Sequence, residues 1–319
     1  MSAIKKTHRE VLRNLSSEDR KMLMVRSDWA GLAQLVGHLG LIAVMIWLNV
    51  ILSGAWQILA MTGQGIATVF LFTAMHECSH ATAFRSRWMN HAVGLFAGAV
   101  LVIGPRWFFY FHQDHHKFTQ DPARDPELAA PKPASAAAYL WYLTGLPFWV
   151  SNLRVLVGNA LGRRDDAYVP SIVRQAVFAE ARWMLVVYAV VIPAFVHQGW
   201  FVTYLLVPLL LGQPFLRAYL LAEHAGCEQG SGNMLTNTRT LLTAAPVRFL
   251  AWNMPYHTEH HSFPAVPFHR LPHLHRLMRN DVANLDSGYL SFHRRFAAGT
   301  ASTARKSCRR RVTGFREDL

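Results

Sequence analysis

Three long stretches of the chain contain no charged residue, and they restrict its fold more than any other feature. Asp, Glu, Lys and Arg are absent from Trp29 to Met75, from Trp88 to Pro105 and from Trp183 to Phe215. A membrane-spanning helix needs about 20 apolar residues, so the first stretch is long enough for two spans and the third for two short ones. Only 16% of the residues are charged, against about 25% in soluble domains. The sequence therefore predicts an all-α integral membrane protein.

The uncharged stretches predict four transmembrane helices arranged as two hairpins. Their expected ranges are 32–53, 56–75, 183–197 and 200–216. The apolar run 92–104 is short for a span and is predicted to be re-entrant or interfacial, with a third full span as the alternative. The aromatic segment 136–161 is interrupted by Gly145, Pro147 and Arg154. It is expected either along the membrane interface or as a core helix of the part outside the membrane.

The net charge of +13 comes from Lys and Arg near the two ends and beside the apolar stretches. No segment combines basic and aromatic residues in a pattern that indicates nucleic-acid binding. The predicted outer turns, Ser53–Gln57 and His197–Trp200, carry no Lys or Arg, whereas the N-terminal segment is rich in both. Because positive residues favour the cytoplasmic side, both termini are predicted to be cytoplasmic, in what we expect to be a bacterial inner membrane.

The expected organisation has three parts. Residues 1–28 form a cytoplasmic N-terminal segment, residues 29–296 a membrane catalytic domain, and residues 297–319 a basic C-terminal tail. The three cysteines, Cys78, Cys227 and Cys308, have no CxxC spacing. This excludes a disulfide framework and an iron–sulfur cluster within the chain, so redox chemistry would need an external electron donor.

Nine histidines gather at four places along the sequence. HECSH (76–80) closes the second predicted span, HQDHH (112–116) follows the predicted re-entrant segment, LAEH ends at His224, and HTEHH covers 257–261. Residues i, i+3 and i+4 share a face of a helix, so each motif is predicted to direct its imidazoles to one point. The topology brings all four groups to one side of the membrane. Imidazole suits iron, zinc, copper and nickel, and nine ligands are too many for one ion, so the sequence predicts a two-metal centre.

An acidic residue adjoins a histidine in each group: Glu77, Asp114, Glu223 and Glu259. Carboxylates commonly hold the far nitrogen of a ligating histidine. Since neighbours on a helix point about 100° apart, each acid is expected to orient a ligand from another group. Simple solvated charges are the alternative. Asn253, four residues before His257, is also predicted to face the metals.

Two other functions are compatible with parts of this pattern. His76, Glu77 and His80 match the H-E-x-x-H signature of zinc proteases, in which Glu77 would be the general base. That interpretation leaves both HxxHH motifs unexplained. A metal-storage or transport protein would need polar groups inside the spans, where the chief ones are His38, Asn49 and Gln64.

HECSH, HQDHH and NMPYHTEHHSFP, with AEHAG between the last two, resemble the motifs of the membrane fatty-acid desaturase and hydroxylase superfamily. The similarity extends over about residues 30–280. It implies four transmembrane helices with a cytoplasmic helical cap that holds two iron ions. The ligands implied are His76, His80, His112, His115, His116, His224, His257, His260 and His261. The stretch TQDPARDPE (119–127) also resembles the family, and Asp121 and Asp125 are expected to stabilise the cap. Leu220 stands where some acyl desaturases have a metal-facing Asn.

The resemblance implies an oxygen-dependent oxidoreductase that attacks an unactivated C–H bond of a membrane lipid or fatty acyl chain, most typically a fatty acid desaturase. Dioxygen would be the co-substrate, and the electron donor a separate ferredoxin, rubredoxin or b-type cytochrome. A hydroxylase, a ketolase or an alkene-forming decarboxylase on the same centre remains an alternative. The aromatic run Trp107–Phe111 is expected to line the substrate path or to form an interfacial belt.

Overall fold

The computed structural model describes residues 6–196 and 199–299 of the chain. Most of the predicted basic tail, and part of the predicted turn His197–Trp200, lie outside the described residues. The elements before the first long helix are α1 (His8–Arg13) and α2 (Ser17–Leu23). The first half then contains α3 (Asp28–Ile51), α4 (Gly54–Val69), α5 (Leu71–Ser79), α6 (Arg87–Leu101), α7 (Pro105–Phe118), α8 (Ala136–Leu143) and α9 (Leu146–Ala160).

The second half of the described chain contains two long helices followed by short elements. The helices are α10 (Ser171–Val196), α11 (Val207–His224), α12 (Met234–Asn237), α13 (Ala245–Leu250), α14 (His257–Ser262) and α15 (Leu271–Met278). Residues 289–299 are also helical. A π-helical turn, Val202–Leu206, precedes α11. The all-α prediction omitted one small feature, a parallel pairing of β1 (Thr240–Leu241) with β2 (Leu285–Asp286).

Four helical segments are long and apolar enough to cross a membrane, as predicted. They are Asp28–Ile51, Gly54–Ser79, Ser171–Val196 and Val202–His224. The third and fourth extend beyond the predicted ranges, because an absence of charge marks only the apolar part of a helix. The third begins at Ser171 rather than near residue 183, and the fourth continues past Arg217 to His224.

A sharp bend follows the first pair of spans. Helices α6 and α7 meet at an angle of 97°, and Val102 adopts a left-handed conformation between them (φ +58°). Gly98 is needed here, because a Cβ atom at this position would lie 2.5 Å from the Ile103 carbonyl oxygen. The predicted segment 92–104 therefore contains the bend, which agrees with a re-entrant or broken path and not with a straight third span.

Helices α4 and α11 cross at almost direct backbone contact. A Cβ atom at Gly65 would lie 1.8 Å from the Pro208 carbonyl oxygen, and one at Gly212 would lie 2.2 Å from the Gly65 carbonyl carbon. Small residues allow such close approach between helices in membranes. This crossing fixes the ends of α5 and α11 relative to one another, and these ends carry His76, His80 and His224.

The polar residues inside the spans bond to neighbouring helices. Asn49 Nδ2 donates to Gln64 Oε1 (3.0 Å), and Gln64 Nε2 donates to the Tyr204 carbonyl in the π-helical turn (2.5 Å). His38 Nε2 lies 2.8 Å from the Ala67 carbonyl oxygen, and its Nδ1 accepts from Trp252 Nε1 (3.1 Å). These contacts join the spans to one another and to the chain that covers them.

The aromatic segment 136–161 is divided by Gly145 into α8 and α9, and the glycine has the positive φ (+71°) that this break requires. Both helices expose large apolar side chains, including Leu140, Trp141 and Leu153. That exposure favours the predicted interfacial position over a buried core position.

The chain beyond α11 folds back over the ends of the first spans. Gln34 on α3 donates to the Phe249 carbonyl (2.6 Å), and Thr73 on α5 donates to the Leu250 carbonyl (3.1 Å). All six residues of α14 are buried. The last of the four histidine groups, His257, His260 and His261, is thereby brought against the other three.

Candidate metal centre

The nine predicted histidines converge on two adjoining pockets. Each is buried or partly buried at or near the end of a helix. Five of them offer ring nitrogens that lie within 4.8 Å of one another; this five-histidine pocket consists of His76, His80, His112, His116 and His260. His80 Nε2 lies 2.9 Å from His112 Nε2, and His116 Nε2 lies 3.0 Å from His112 Nε2.

The other four histidines form the second pocket, here called the four-histidine pocket. It consists of His115, His224, His257 and His261. The first, second and fourth offer ring nitrogens within 4.8 Å of one another. His257 completes the pocket because its Nε2 atom lies 2.9 Å from His224 Nε2. His115 Nε2 lies 3.2 Å from the same nitrogen.

The two HxxHH motifs do not each point to one place, and this part of the prediction was wrong. His112 and His116 enter the five-histidine pocket, whereas His115 enters the four-histidine pocket. The reason is helical geometry, because residues i+3 and i+4 are about 100° apart around the axis. HTEHH is divided in the opposite sense, with its middle histidine, His260, in the five-histidine pocket. Helices α7 and α14 thus each contribute to both pockets.

The spacing of the ring nitrogens suits bound metal ions. Imidazole nitrogens lie about 2.1 Å from a first-row ion such as zinc, and ligands at right angles around such an ion are then about 3 Å apart. The shortest separations within the two pockets are 2.9–3.2 Å. Moreover, His261 Nε2 is buried and has no hydrogen-bond partner among the described residues, as expected of a lone pair reserved for a metal.

Burial favours the neutral form of most of these rings, which is the form that binds metals. It lowers the pKa of His80 to about 3. It also lowers the pKa values of His257, His260 and His261 well below their usual range, and neighbouring histidines add to the effect. Protons therefore do not compete for these nitrogens at neutral pH.

Oxygen atoms hold the outer nitrogens of the four-histidine pocket. His115 Nδ1 lies 2.9 Å from Asp125 Oδ1, and His257 Nδ1 lies 3.3 Å from Glu223 Oε1. His261 Nδ1 lies 3.1 Å from Thr119 Oγ1. His224 Nδ1 has a longer contact, 3.4 Å, with the Asn237 carbonyl oxygen. Such contacts fix the orientation of a ligating ring.

The predicted supporting residues occupy different surroundings. Glu223 contacts His257, a histidine from another group, as the helical angle predicts. Asp114 forms no hydrogen bond or ion pair with any of the nine histidines in the described part of the chain; Asp125 takes that position at His115. Glu259 instead accepts from Thr240 Oγ1 (2.6 Å) and pairs with His275 Nδ1 (2.5 Å).

Glu77 and Asn253 both support the short 3-10 helix Phe268–Arg270. Glu77 Oε1 accepts a hydrogen bond from the Phe268 backbone N–H (2.9 Å), and Asn253 Nδ2 donates to the Phe268 carbonyl (3.2 Å). Asn253 has a positive φ (+58°), which turns the chain before α14. The prediction that Asn253 faces the metals is not supported by these contacts.

One acidic residue at the centre escaped the sequence analysis. Glu127 Oε2 lies 3.6 Å from His115 Nδ1 and 3.9 Å from His224 Nε2. Burial acts to raise its pKa, but Lys132, 3.1 Å away, and the two imidazoles outweigh burial and hold the pKa below its usual range. Asp125 also accepts from the Glu127 backbone N–H (2.9 Å). Glu127 is the last residue of the TQDPARDPE stretch (119–127), in which the sequence indicated roles only for Asp121 and Asp125.

A cavity of about 520 Å³ opens beside both pockets. Histidines from both contribute to its wall: His76, His112, His115, His224 and His257. The rest of the wall is mostly apolar and aromatic and includes Phe72, Trp107, Phe108, Phe111, Phe148 and Leu220. Three members of the aromatic run 107–111 therefore line this cavity, whereas Phe109 is exposed.

Comparison with known proteins agrees with this geometry. The sequence model of the fatty acid desaturase family matches residues 47–293, which is most of the chain. The chain belongs to the fatty acid desaturase family. It is 28% identical over 243 residues to the sphingolipid delta(4)-desaturase DES1 of Drosophila melanogaster, covering 72% of this chain and 68% of the fly protein.

A second relative is the sphingolipid delta(4)-desaturase/C4-monooxygenase DES2 of Rattus norvegicus. The two chains are 28% identical over 251 residues, covering 73% of this chain and 70% of the rat protein. Membership in the desaturase family and these relatives indicate that the protein is an oxidoreductase. Its apolar helices and its relatives also support a membrane protein.

The desaturase assignment accounts for the H-E-x-x-H sequence without hydrolysis. In a zinc protease the glutamate would serve as general base beside the metal. Here the Glu77 carboxylate accepts from the Phe268 backbone, and the two flanking histidines share their pocket with three others.

Proposed function

We propose that the two histidine pockets hold two iron ions and that this oxygen-dependent centre attacks an unactivated C–H bond of a lipid or fatty acyl chain, with desaturation as the principal outcome. The observation that carries the proposal is the arrangement of nine imidazoles in two adjoining pockets beside a largely apolar cavity. A hydrolase or a storage protein has no need of that combination.

When bound, the iron ions would activate dioxygen for removal of hydrogen from a methylene group. The chain's own residues position the substrate. Phe108, Phe111 and Leu220 line the cavity next to His112 and His224, so an acyl chain in contact with them would present its carbons to both pockets. Holding the reacting carbon at a fixed distance is the main contribution of the protein to such chemistry.

The proposed centre would face the cytoplasm and receive its electrons from another protein. The segments that cover the histidines would form a cap on the cytoplasmic side, with both termini on that side, as the positive-inside rule predicts. An external donor, such as a ferredoxin, a rubredoxin or a b-type cytochrome, would supply electrons, because the chain's sequence contains no iron–sulfur or CxxC motif. Glu77, Asp114, Glu259 and Asn253 would act on structure rather than on ligand orientation.

Hydroxylation is the second candidate outcome. The name of the rat relative, sphingolipid delta(4)-desaturase/C4-monooxygenase, joins both outcomes in one protein, so the same centre would be able to support either. Ketolase and alkene-forming decarboxylase activities share the same requirement for two metal ions. The product, rather than the centre, distinguishes them.

The test combines metal analysis with lipid analysis. Purified protein is expected to bind one iron ion for each pocket, and cells that express it are expected to contain an unsaturated lipid that is absent from control cells. His115→Ala should abolish the new lipid, whereas His91→Ala, at an exposed position outside both pockets, should not. Purified protein without iron affinity, or full activity of His115→Ala, would contradict the proposal. A hydroxylated, ketonic or shortened product would identify the alternative outcome.

A further inference from the structure

Arg217 is a buried cation in the wall of the cavity. The residue is only 8% exposed and lies on α11. Its guanidinium carbon lies 3.9 Å from the centre of the Phe148 ring. The Nε and Nη2 atoms are buried and have no hydrogen-bond partner among the described residues. Buried charges are costly unless they are paired, so these unused donors need an explanation.

Arg164, the other cation of the cavity wall, and the nearby Lys132 are already paired. Lys132 beside the cavity binds Glu127 at 3.1 Å, and Arg164 donates from Nε to Asp166 at 2.8 Å. Arg217, by contrast, forms no ion pair within the described part of the chain. Arg217 has a hydrogen bond to Tyr142 and interacts electrostatically with the Glu127 and Glu223 carboxylates, but its Nε and Nη2 atoms still lack acceptors among the described residues.

A second side chain of the wall has the same need. Asn152 on α9 lines the cavity, and its Nδ2 atom is buried without an acceptor in the residues described. The unsatisfied atoms of Arg217 and Asn152 are therefore all hydrogen-bond donors. A ligand that satisfies both must bring acceptor oxygens, and a planar carboxylate matches a guanidinium in both charge and shape.

We infer that this part of the cavity binds the carboxylate end of the substrate, so that the protein acts on a fatty acid whose polar end is held by Arg217 while its chain extends towards the histidines. This inference rests on the proposed function, since it takes the cavity to be the substrate site. It adds the chemical class of the substrate and the residue that selects it.

The position of Arg217 also sets where the chain is attacked. Arg217 precedes His224 by two helical turns on α11, which is about 10 Å along the axis. Leu220, between them on the same face, lines the cavity as well. An acyl chain anchored at Arg217 would therefore be oxidised near its carboxyl end, and the position of attack would be counted from that end.

The first test measures binding without turnover. Displacement of a fluorescent polyene fatty acid from the purified protein would be followed with palmitic acid, hexadecanol and methyl palmitate in the same detergent. The wild-type protein is expected to bind palmitic acid at least about tenfold more tightly than either neutral lipid, because a charge-assisted bond contributes about 1.5–3 kcal/mol. Arg217→Met should lose this preference while its affinity for hexadecanol remains unchanged.

Two further variants are compared with Arg217→Met. Arg154→Met, at an exposed position on α9, is the matched control and should keep the preference. Arg217→Gln retains hydrogen-bond donors without charge and should also lose the preference, which covers the case in which Arg217→Met does not fold. An unaltered preference in a folded Arg217 variant, or equal affinity of the wild-type protein for the acid and the alcohol, would overturn the inference.

The second test uses turnover and separates the two proposals. With fatty acids of increasing length, the position of oxidation is expected to stay constant from the carboxyl end. A position that stays constant from the methyl end would refute anchoring at Arg217 while leaving the oxidase activity intact. Selective binding of the acid by a protein that oxidises no lipid would instead refute the proposed function alone.

Discussion

The two histidine pockets lie side by side on shared helices, but their rings are held by different means. In the four-histidine pocket every outer nitrogen faces an oxygen atom, from Asp125, Glu223, Thr119 or the Asn237 backbone. In the five-histidine pocket the Nδ1 atoms of His76, His116 and His260 have no hydrogen-bond partner in the part of the chain described, whereas in the four-histidine pocket this is true of His257 Nδ1 alone. Helical spacing and close packing therefore orient one set of rings, and hydrogen bonds orient much of the other.

Because their rings are held differently, the two pockets should differ in their sensitivity to substitutions of nearby residues. The five-histidine pocket depends on His76 and His80, and on His112 and His116, which are i, i+4 pairs on rigid helices. It should be insensitive to single polar substitutions nearby. The four-histidine pocket depends on side chains from a turn, a span and a loop, and it should weaken when any one of these supports is removed.

The largest effect on metal binding is expected at the crossing of α4 and α11, which supports both pockets. Gly212→Leu would place side-chain atoms against the backbone of α4, where a Cβ alone already comes within 2.2 Å of the Gly65 carbonyl carbon. Both pockets should lose iron because α5 and α11 would separate. The iron content and thermal unfolding of the purified protein measure this. Gly40→Leu on α3, where a Cβ meets nothing within 4 Å, is the control, and normal iron content in Gly212→Leu would contradict the proposed role of the crossing.

Removal of single ligands should distinguish the pockets. His116→Ala is expected to empty the five-histidine pocket, whereas His115→Ala, one residue away, is expected to empty the four-histidine pocket. The reason is the division of HQDHH between the two pockets. Anomalous scattering from crystals of each iron-loaded variant would locate the remaining ion. Loss of the same ion from both variants would disprove the division.

A smaller effect is expected from the support of His115. Asp125→Asn should weaken metal binding in the four-histidine pocket by about 10- to 100-fold, the usual cost of removing a carboxylate that orients a ligand. Asp114→Asn should have little effect, because Asp114 contacts none of the nine rings in the described structure. Competition with a metal chelator gives the affinities. Equal losses of metal affinity in the two variants would show that Asp114 orients a ligand, as the sequence predicted.

The smallest expected effect concerns Glu127. Its carboxylate lies near two rings of the four-histidine pocket and binds Lys132 at 3.1 Å. Glu127→Gln should lower metal affinity in that pocket only, on the order of a few-fold, since both partners are partly exposed to solvent. A double-mutant cycle with Lys132→Met would separate the ion pair from the direct effect on the metal. A weakened five-histidine pocket would contradict this assignment.

The sequence alone determined the number of apolar helices and the identity of the nine histidines. A run such as Trp29–Met75, without charge over more than two span lengths, permits few structures besides membrane helices. Histidine triplets at i, i+3 and i+4 are rare enough to indicate metal chemistry. These properties are local, because helical periodicity relates residues only a few positions apart.

Only the tertiary structure decided which ring enters which pocket and which acid supports it. Asp125 reaches His115 because the turn after α7 brings it back, whereas the neighbouring Asp114 points elsewhere on the helix. The position of Arg217 in a cavity wall likewise depends on α8 and α9, which close the cavity around it. Such contacts depend on the packing of segments far apart in the chain, and local spacing carries no information about them.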